Sequence, residues 1–159
     1  MIKQLTLICL MIFVTAEVSS NEIEEVRKMF FESTKNQSKT ELMFEYLKNK
    51  NVSSNPVLKA YYGMTYMLMA KHGFNFFARL SNFNKGKEIL EQAIAQDKTN
   101  AELRFLRLSV QMNIPTFLNY SSNIDGDKKI ISEKFAQISD EYLKSKILQF
   151  YSNKKMTLQ

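Results

Sequence analysis

Cysteine and histidine are almost absent from this chain, and tryptophan is absent altogether. Its 159 residues include one cysteine, Cys9, and one histidine, His72. Cys9 lies in an amino-terminal apolar segment that we expect to be removed on export, so a disulfide framework and thiol catalysis are excluded from the mature protein. One histidine and scattered carboxylates do not make a metal site. The mature chain must therefore be stabilised by its hydrophobic core alone.

Glycine and proline are also scarce, with four and two residues respectively. The sequence contains no glycine-rich phosphate loop and no nucleophile in a pattern with a general base. His72 falls near the end of a predicted helix, where the helix dipole favours a cation; a general-base role is the alternative. Acid–base catalysis by two carboxylates is a third option, but no spacing specifies such a pair. We therefore predict that the chain is not an enzyme and binds no cofactor.

The amino-terminal segment is typical of a secretory signal peptide. Lys3 supplies a basic start, an apolar run extends from Leu5 to Val14, and the residues that end at Ala16 match a small-residue cleavage pattern. The run is shorter than the about 20 residues that a membrane-spanning helix needs. We expect residues 1–16 to be removed, or a few more if cleavage falls as late as residue 20. An uncleaved amphipathic anchor is the alternative interpretation.

The net charge of the chain is +6. Such a charge favours weak attraction to anionic surfaces. However, the lysines are scattered among asparagines and serines, without an arginine-rich run. Nucleic-acid binding would also conflict with export, so we do not expect a nucleic-acid partner.

Apolar residues recur at helical spacing through most of the chain, and no segment shows the strict alternation of a half-buried strand. We predict an all-α fold of about six to eight antiparallel helices in layers. A single domain would span residues 21–151, followed by a frayed tail at 152–159. The predicted helices cover 21–35, 38–50, 56–71, 85–96, 101–113, 128–138 and 139–151. Residues 72–84 are predicted to connect two helices through a short helical turn, and 121–127 to form a polar loop.

Two glycines stand where helices are expected to pack closely. The helix 56–71 is apolar almost all round, which predicts a central position. Gly63 shares one face of this helix with other small residues, and Gly86 lies on the buried face of helix 85–96. Because glycine costs a helix about 1 kcal/mol relative to alanine, its presence at Gly63 indicates a packing role.

The helix 101–113 carries two apolar faces on opposite sides. One face consists of Ala101, Phe105, Leu108 and Met112, and the other of Leu103, Leu106 and Val110. A helix of this kind must lie between neighbouring layers. Thr99 and Glu102 have the spacing of a capping box at its start, with Asn100 as the alternative cap.

A polar stripe on the same helix, Arg104, Arg107 and Gln111, contains the strongest candidates for a functional site. Charged groups beside buried surface are costly unless they are paired. The structural interpretation is that carboxylates hold both arginines, with Asp125 or Asp127 of the following loop, or glutamates of a neighbouring helix, as candidates. The functional interpretation is a pocket for a carboxylate or phosphate ligand, which the guanidinium group can bind through two hydrogen bonds.

Aromatic residues between positions 61 and 77 are candidates for a peptide-binding groove. They include Tyr62 and Tyr66, with Phe74, Phe76 and Phe77 beyond them. At helical spacing, most residues of this kind belong to the core. The sequence is compatible with both interpretations.

Two resemblances can be named on particular motifs. Tyr62-Gly63-x-x-Tyr66 resembles the signature of a tetratricopeptide first helix, and Gly86-x3-Leu90-x2-Ala93 with the turn 97–102 resembles the second helix of that repeat. Lys98 stands where the repeat usually has proline, and the two parts lie further apart than a repeat of about 34 residues allows. The resemblance implies one degenerate repeat in an α–α superhelix.

A second resemblance covers the motifs 60–63, 82–86 and 102–111, and continues through 115–120. These segments are similar to a group of short exported proteins of Bacteroidota, for which no activity is implied. We therefore expect an exported, non-catalytic helical protein, periplasmic or secreted, that contacts a protein or peptide in the bacterial cell envelope. Binding of a small anionic ligand by Arg104 and Arg107 is the alternative.

Overall fold

The computed structural model describes residues 19–158, and these residues form seven α-helices. The helices are α1 (Ser20–Ser33), α2 (Gln37–Lys48), α3 (Pro56–His72), α4 (Phe76–Gln96), α5 (Ala101–Gln111), α6 (Ile124–Lys134) and α7 (Glu141–Asn153). Short 3-10 helices occupy Val52–Ser54, Thr116–Leu118 and Phe135–Gln137. No strand occurs between residues 19 and 158, which confirms the all-α prediction. The predicted signal peptide lies outside the described residues. Within them, no helix has the length and apolar character to cross a membrane.

The helices form layers built from antiparallel hairpins. In the α1–α2 hairpin, Thr40 donates a hydrogen bond to the carbonyl of Ser33 close to the turn, and Tyr46 reaches Glu25 further away from it. Helices α1 and α3 run in the same direction, since Phe30 packs against Tyr61 and, further along both helices, the carbonyl of Thr34 accepts a hydrogen bond from Lys71. Helix α2 is therefore antiparallel to both α1 and α3, which confirms the predicted antiparallel layers.

The α3–α4 hairpin forms the centre of the molecule, as the sequence predicts for residues 56–71. Helix α3 buries eleven residues, including Tyr61 and Leu58. The prediction of a connecting segment at 72–84 is wrong, because α4 begins at Phe76. Asn75 caps this helix by accepting a hydrogen bond from the amide of Ala78 at 3.0 Å. The first turn of α4 carries no apolar period because its side chains are exposed.

Helix α5 lies between two hydrophobic clusters. Leu103, Leu106 and Val110 join the larger cluster, which α1 to α4 build. Phe105 and Leu108 join a second cluster with α6 and α7. Both apolar faces of α5 are therefore buried, as the sequence predicts.

Several local predictions differ from the structure. Asn100 alone caps α5, by accepting hydrogen bonds from two amides, and Glu102 is engaged elsewhere instead of completing a capping box. Helix α6 begins at Ile124, so most of the predicted loop 121–127 is helical. Part of the predicted frayed tail contacts the helices. Lys154 donates a hydrogen bond to the carbonyl of Met112, and two apolar side chains of the tail pack on the second cluster.

Candidate functional site

Arg107 is buried and surrounded by carboxylates. Its Nε and Nη2 donate to the two oxygens of Asp127 at 2.7 Å each, and its Nη1 donates to Glu91 at 2.8 Å. Tyr120 donates a further hydrogen bond to Glu91. Burial alone would lower the pKa of Arg107, but the hydrogen bond and charge of Asp127 overcome that effect and raise it. Burial, followed by the neighbouring Glu91, raises the pKa of Tyr120 well above its usual value.

Arg104 belongs to the same network. Its Nη1 donates to Asp127 at 3.1 Å, and the rest of its guanidinium group donates to the carbonyl of Lys98. Asp127 comes from the first turn of α6 and is fully buried. Arg104 and Arg107 are therefore paired as the structural interpretation expects, and they lack the free guanidinium groups that an anion site needs.

Gln111, the third residue of the predicted stripe, has no hydrogen-bond partner within the described residues. The residue is 5% exposed, and both polar atoms of its side chain are buried. An unpaired buried amide costs about 1–3 kcal/mol. The position is therefore a local weakness in stability.

Another buried ionic network joins α1 to α5. Arg27 donates from Nε and Nη2 to Glu102 at 2.6 and 2.7 Å, and from Nη1 to Asp140 at 2.6 Å. Tyr61 donates to the same Glu102 at 2.7 Å. Burial, and then Glu102, raises the pKa of Tyr61 well above its usual value. Sequence reasoning missed this network because its members are far apart along the chain and no local pattern connects them.

The predicted residues Tyr62 and Tyr66 meet on one side of α3. Their hydroxyl oxygens are 3.2 Å apart, and Phe44 of α2 packs against both rings. The ammonium group of Lys85 lies 4.6 Å from the centre of the Tyr66 ring. Burial and the hydrogen bond to Tyr66 raise the pKa of Tyr62 to about 12. These contacts join α2, α3 and α4, so the tyrosines have a packing role apart from the arginine stripe.

An apolar groove opens at the other end of the α3–α4 hairpin. It has a volume of about 390 Å³ and lies between α3, α4 and the segment 113–118. Its main apolar lining consists of Met67, Phe76, Leu80, Phe83, Ile114 and Phe117. Its ionisable residues are Lys71 and Arg79. We call this site the groove.

Unusually exposed aromatic side chains lie in the lining of the groove and near it in the chain. Phe76 and Phe117 of the lining are 59% and 70% exposed. Phe74 and Phe77 nearby in the chain are 96% and 79% exposed. Single exposed apolar residues are common, but Phe76 and Phe117 line the same concave site and Phe76 packs edge to face on Phe77, and a group of this kind is typical of an interaction surface. The aromatic residues at 74–77 were a sequence signal for this site, whereas Phe117 carried none.

His72, the candidate general base, contacts a backbone carbonyl. His72 lies at the end of α3, with its Nε2 3.3 Å from the carbonyl of Ser33. Between residues 19 and 158, no three metal-ligating side chains come together.

Comparisons with protein-family models, with curated proteins and with solved structures gave no match to this chain. The two resemblances read from sequence motifs stay predictions.

Proposed function

We propose that this chain is an exported, non-catalytic helical protein of the bacterial cell envelope that binds a protein or peptide segment in the groove. The exposed side chains of Phe76 and Phe117 beside a groove of about 390 Å³ carry this proposal. Ligand pockets commonly have volumes of about 300–1,000 Å³ and mostly apolar linings. A bound segment would remove the exposed rings from water, which is favourable by about 25 cal/mol for each Å² of apolar surface buried.

Several other observations support an interaction module. The arginines of the predicted stripe are held by Asp127 and so stabilise the fold. The helical hairpins in layers fit a tetratricopeptide-like protein, whose helices commonly present a binding surface. The signal-like sequence at 1–16 supports export, and intact-mass measurement of the secreted protein would test this by the loss of about that many residues.

Selection of random 12-residue peptides displayed on phage tests the groove. We expect the wild-type protein to enrich peptides with apolar anchors, and Phe117→Ser to abolish their binding. Leu148→Ala is the matched control, because Leu148 is 50% exposed on α7, outside the groove. Equal binding of the same peptides by both variants would contradict the proposal, as would a lack of enrichment.

A further inference from the structure

We infer that the segment bound in the groove carries a carboxylate group, and that Arg79 binds this group. The inference depends on the proposed function, since it defines the chemistry of the peptide that the same groove would take. It commits to one class of occupant: an apolar peptide segment with an acidic side chain or a terminal carboxylate.

Within residues 19–158, Arg79 differs from the other three arginines in having no acidic partner. Arg27, Arg104 and Arg107 each form ion pairs with buried or half-buried carboxylates. Among the residues that the structure describes, none offers a carboxylate to Arg79 within salt-bridge distance. Among the arginines of the described residues, Arg79 alone therefore places a guanidinium group without an acidic partner at the edge of the apolar groove.

The side chain of Arg79 is fixed in position although it is exposed. Its Nε donates a hydrogen bond of 2.9 Å to the carbonyl of Ala70 at the end of α3. Its Cγ packs over Gly73, where an added Cβ would lie 3.1 Å away. The two Nη atoms have no partner within residues 19–158, so they are free to donate. A guanidinium group held at Nε presents these donors in a fixed geometry that suits a carboxylate.

Charge around the groove favours an acidic occupant. Lys71 is the only other ionisable residue of the lining, and the lining contains no aspartate or glutamate. The 159 residues carry a net charge of +6, which becomes +5 (21 basic against 16 acidic residues) if Lys3 leaves with the predicted signal peptide. An acidic peptide would therefore be attracted, whereas a basic peptide would meet two like charges beside a low-dielectric surface.

A concave site with a recessed floor fits a peptide better than a bilayer. Phe83 and Met67 of the lining are only 6% and 7% exposed. A narrow peptide segment can reach them, whereas a flat bilayer would contact only the exposed side chains at the edge of the groove. A lipid phosphate would, however, satisfy Arg79 in the same way as a carboxylate. The test therefore includes vesicles.

The composition and affinity of phage-selected peptides test this inference. We expect the enriched peptides to combine apolar residues with aspartate or glutamate, and a synthetic copy to bind Arg79→Gln about tenfold more weakly than wild type. Replacing the acid by its amide in the synthetic peptide should weaken wild-type binding by a similar factor and leave Arg79→Gln almost unaffected. Lys129→Gln is the control, because Lys129 is 76% exposed on α6.

Each outcome separates this inference from the proposed function. If the enriched peptides were apolar but lacked acidic residues, the inference would be overturned and the proposed peptide site retained. The same would follow if they bound Arg79→Gln with full affinity. Failure to enrich peptides, together with Phe117-dependent binding to phosphatidylglycerol vesicles, would overturn both in favour of a lipid surface. Thermal unfolding of each variant shows whether a loss of binding reflects a loss of folding. Arg79→Lys keeps the positive charge and should bind the peptide more tightly than Arg79→Gln.

Discussion

Gly63 of α3 and Gly86 of α4 face each other so closely that neither position has room for a methyl group. A Cβ built on Gly63 would lie 2.8 Å from the carbonyl oxygen of Gly86. A Cβ built on Gly86 would lie 2.5 Å from the carbonyl oxygen of Gly63. The obstructing atoms belong to the backbone and cannot rotate away. This pair therefore sets the distance between the two central helices.

Gly63→Ala should destabilise the protein. The added methyl group forces α3 and α4 apart, and such overpacking typically costs about 1–3 kcal/mol. The gain in helix propensity, about 1 kcal/mol, offsets only part of this cost. Urea unfolding followed by circular dichroism measures the difference, and Gly86→Ala should behave in the same way.

Gly126→Ala is the matched control for both variants. This glycine also lies in a helix, α6, but a Cβ at the position would meet no heavy atom within 4 Å. The same substitution should therefore stabilise the protein by up to about 1 kcal/mol. If all three variants shifted stability in the same direction, close packing would not explain the two central glycines.

The sequence predicts the features that depend on local patterns. Gly63 stood out because glycine is costly in a helix, and α5 stood out because its two apolar faces repeat every three to four residues. The Arg27–Glu102 pair was not predictable, since its members are 75 positions apart and each one is ordinary for a helix surface. The start of α4 was missed because its exposed phenylalanines follow no core-facing period.

Removal of either partner of the Arg107–Asp127 pair should be strongly destabilising. Arg107→Met leaves Asp127, which is fully buried, with only Arg104 as an ionic partner. Breaking a buried pair in this way typically costs about 3–5 kcal/mol. Lys129→Gln at an exposed pair should change stability by less than about 1 kcal/mol. Denaturant unfolding of both variants at neutral pH makes the comparison; similar small losses would mean that the network contributes little.

Gln111→Met should increase stability. The substitution keeps the volume and removes two polar atoms that are buried without partners. Their desolvation costs about 1–3 kcal/mol in the present chain, so a gain within that range is expected. Gln92→Met is the control, because Gln92 is exposed on α4 and bonds to Glu88. A loss of stability in Gln111→Met would show that the amide has a partner in solution, such as an ordered water molecule.

Alkaline pH should destabilise the protein through Tyr61 and Tyr120. Both phenols have a pKa raised above the unfolded value of 10.0, chiefly by burial and then by the carboxylates that accept their hydrogen bonds. Above about pH 10 the unfolded chain releases these protons while the folded protein keeps them, so stability is complete below that pH and falls as pH rises. Each tyrosine should contribute about 1.4 kcal/mol per pH unit to the decline.

Tyr61→Phe and Tyr120→Phe should each make the decline less steep by that amount, as measured by urea unfolding between about pH 10 and 11.5. Unchanged slopes in both variants would mean that the two hydroxyl groups ionise as readily in the folded protein as in the unfolded chain, which is incompatible with their burial against Glu102 and Glu91.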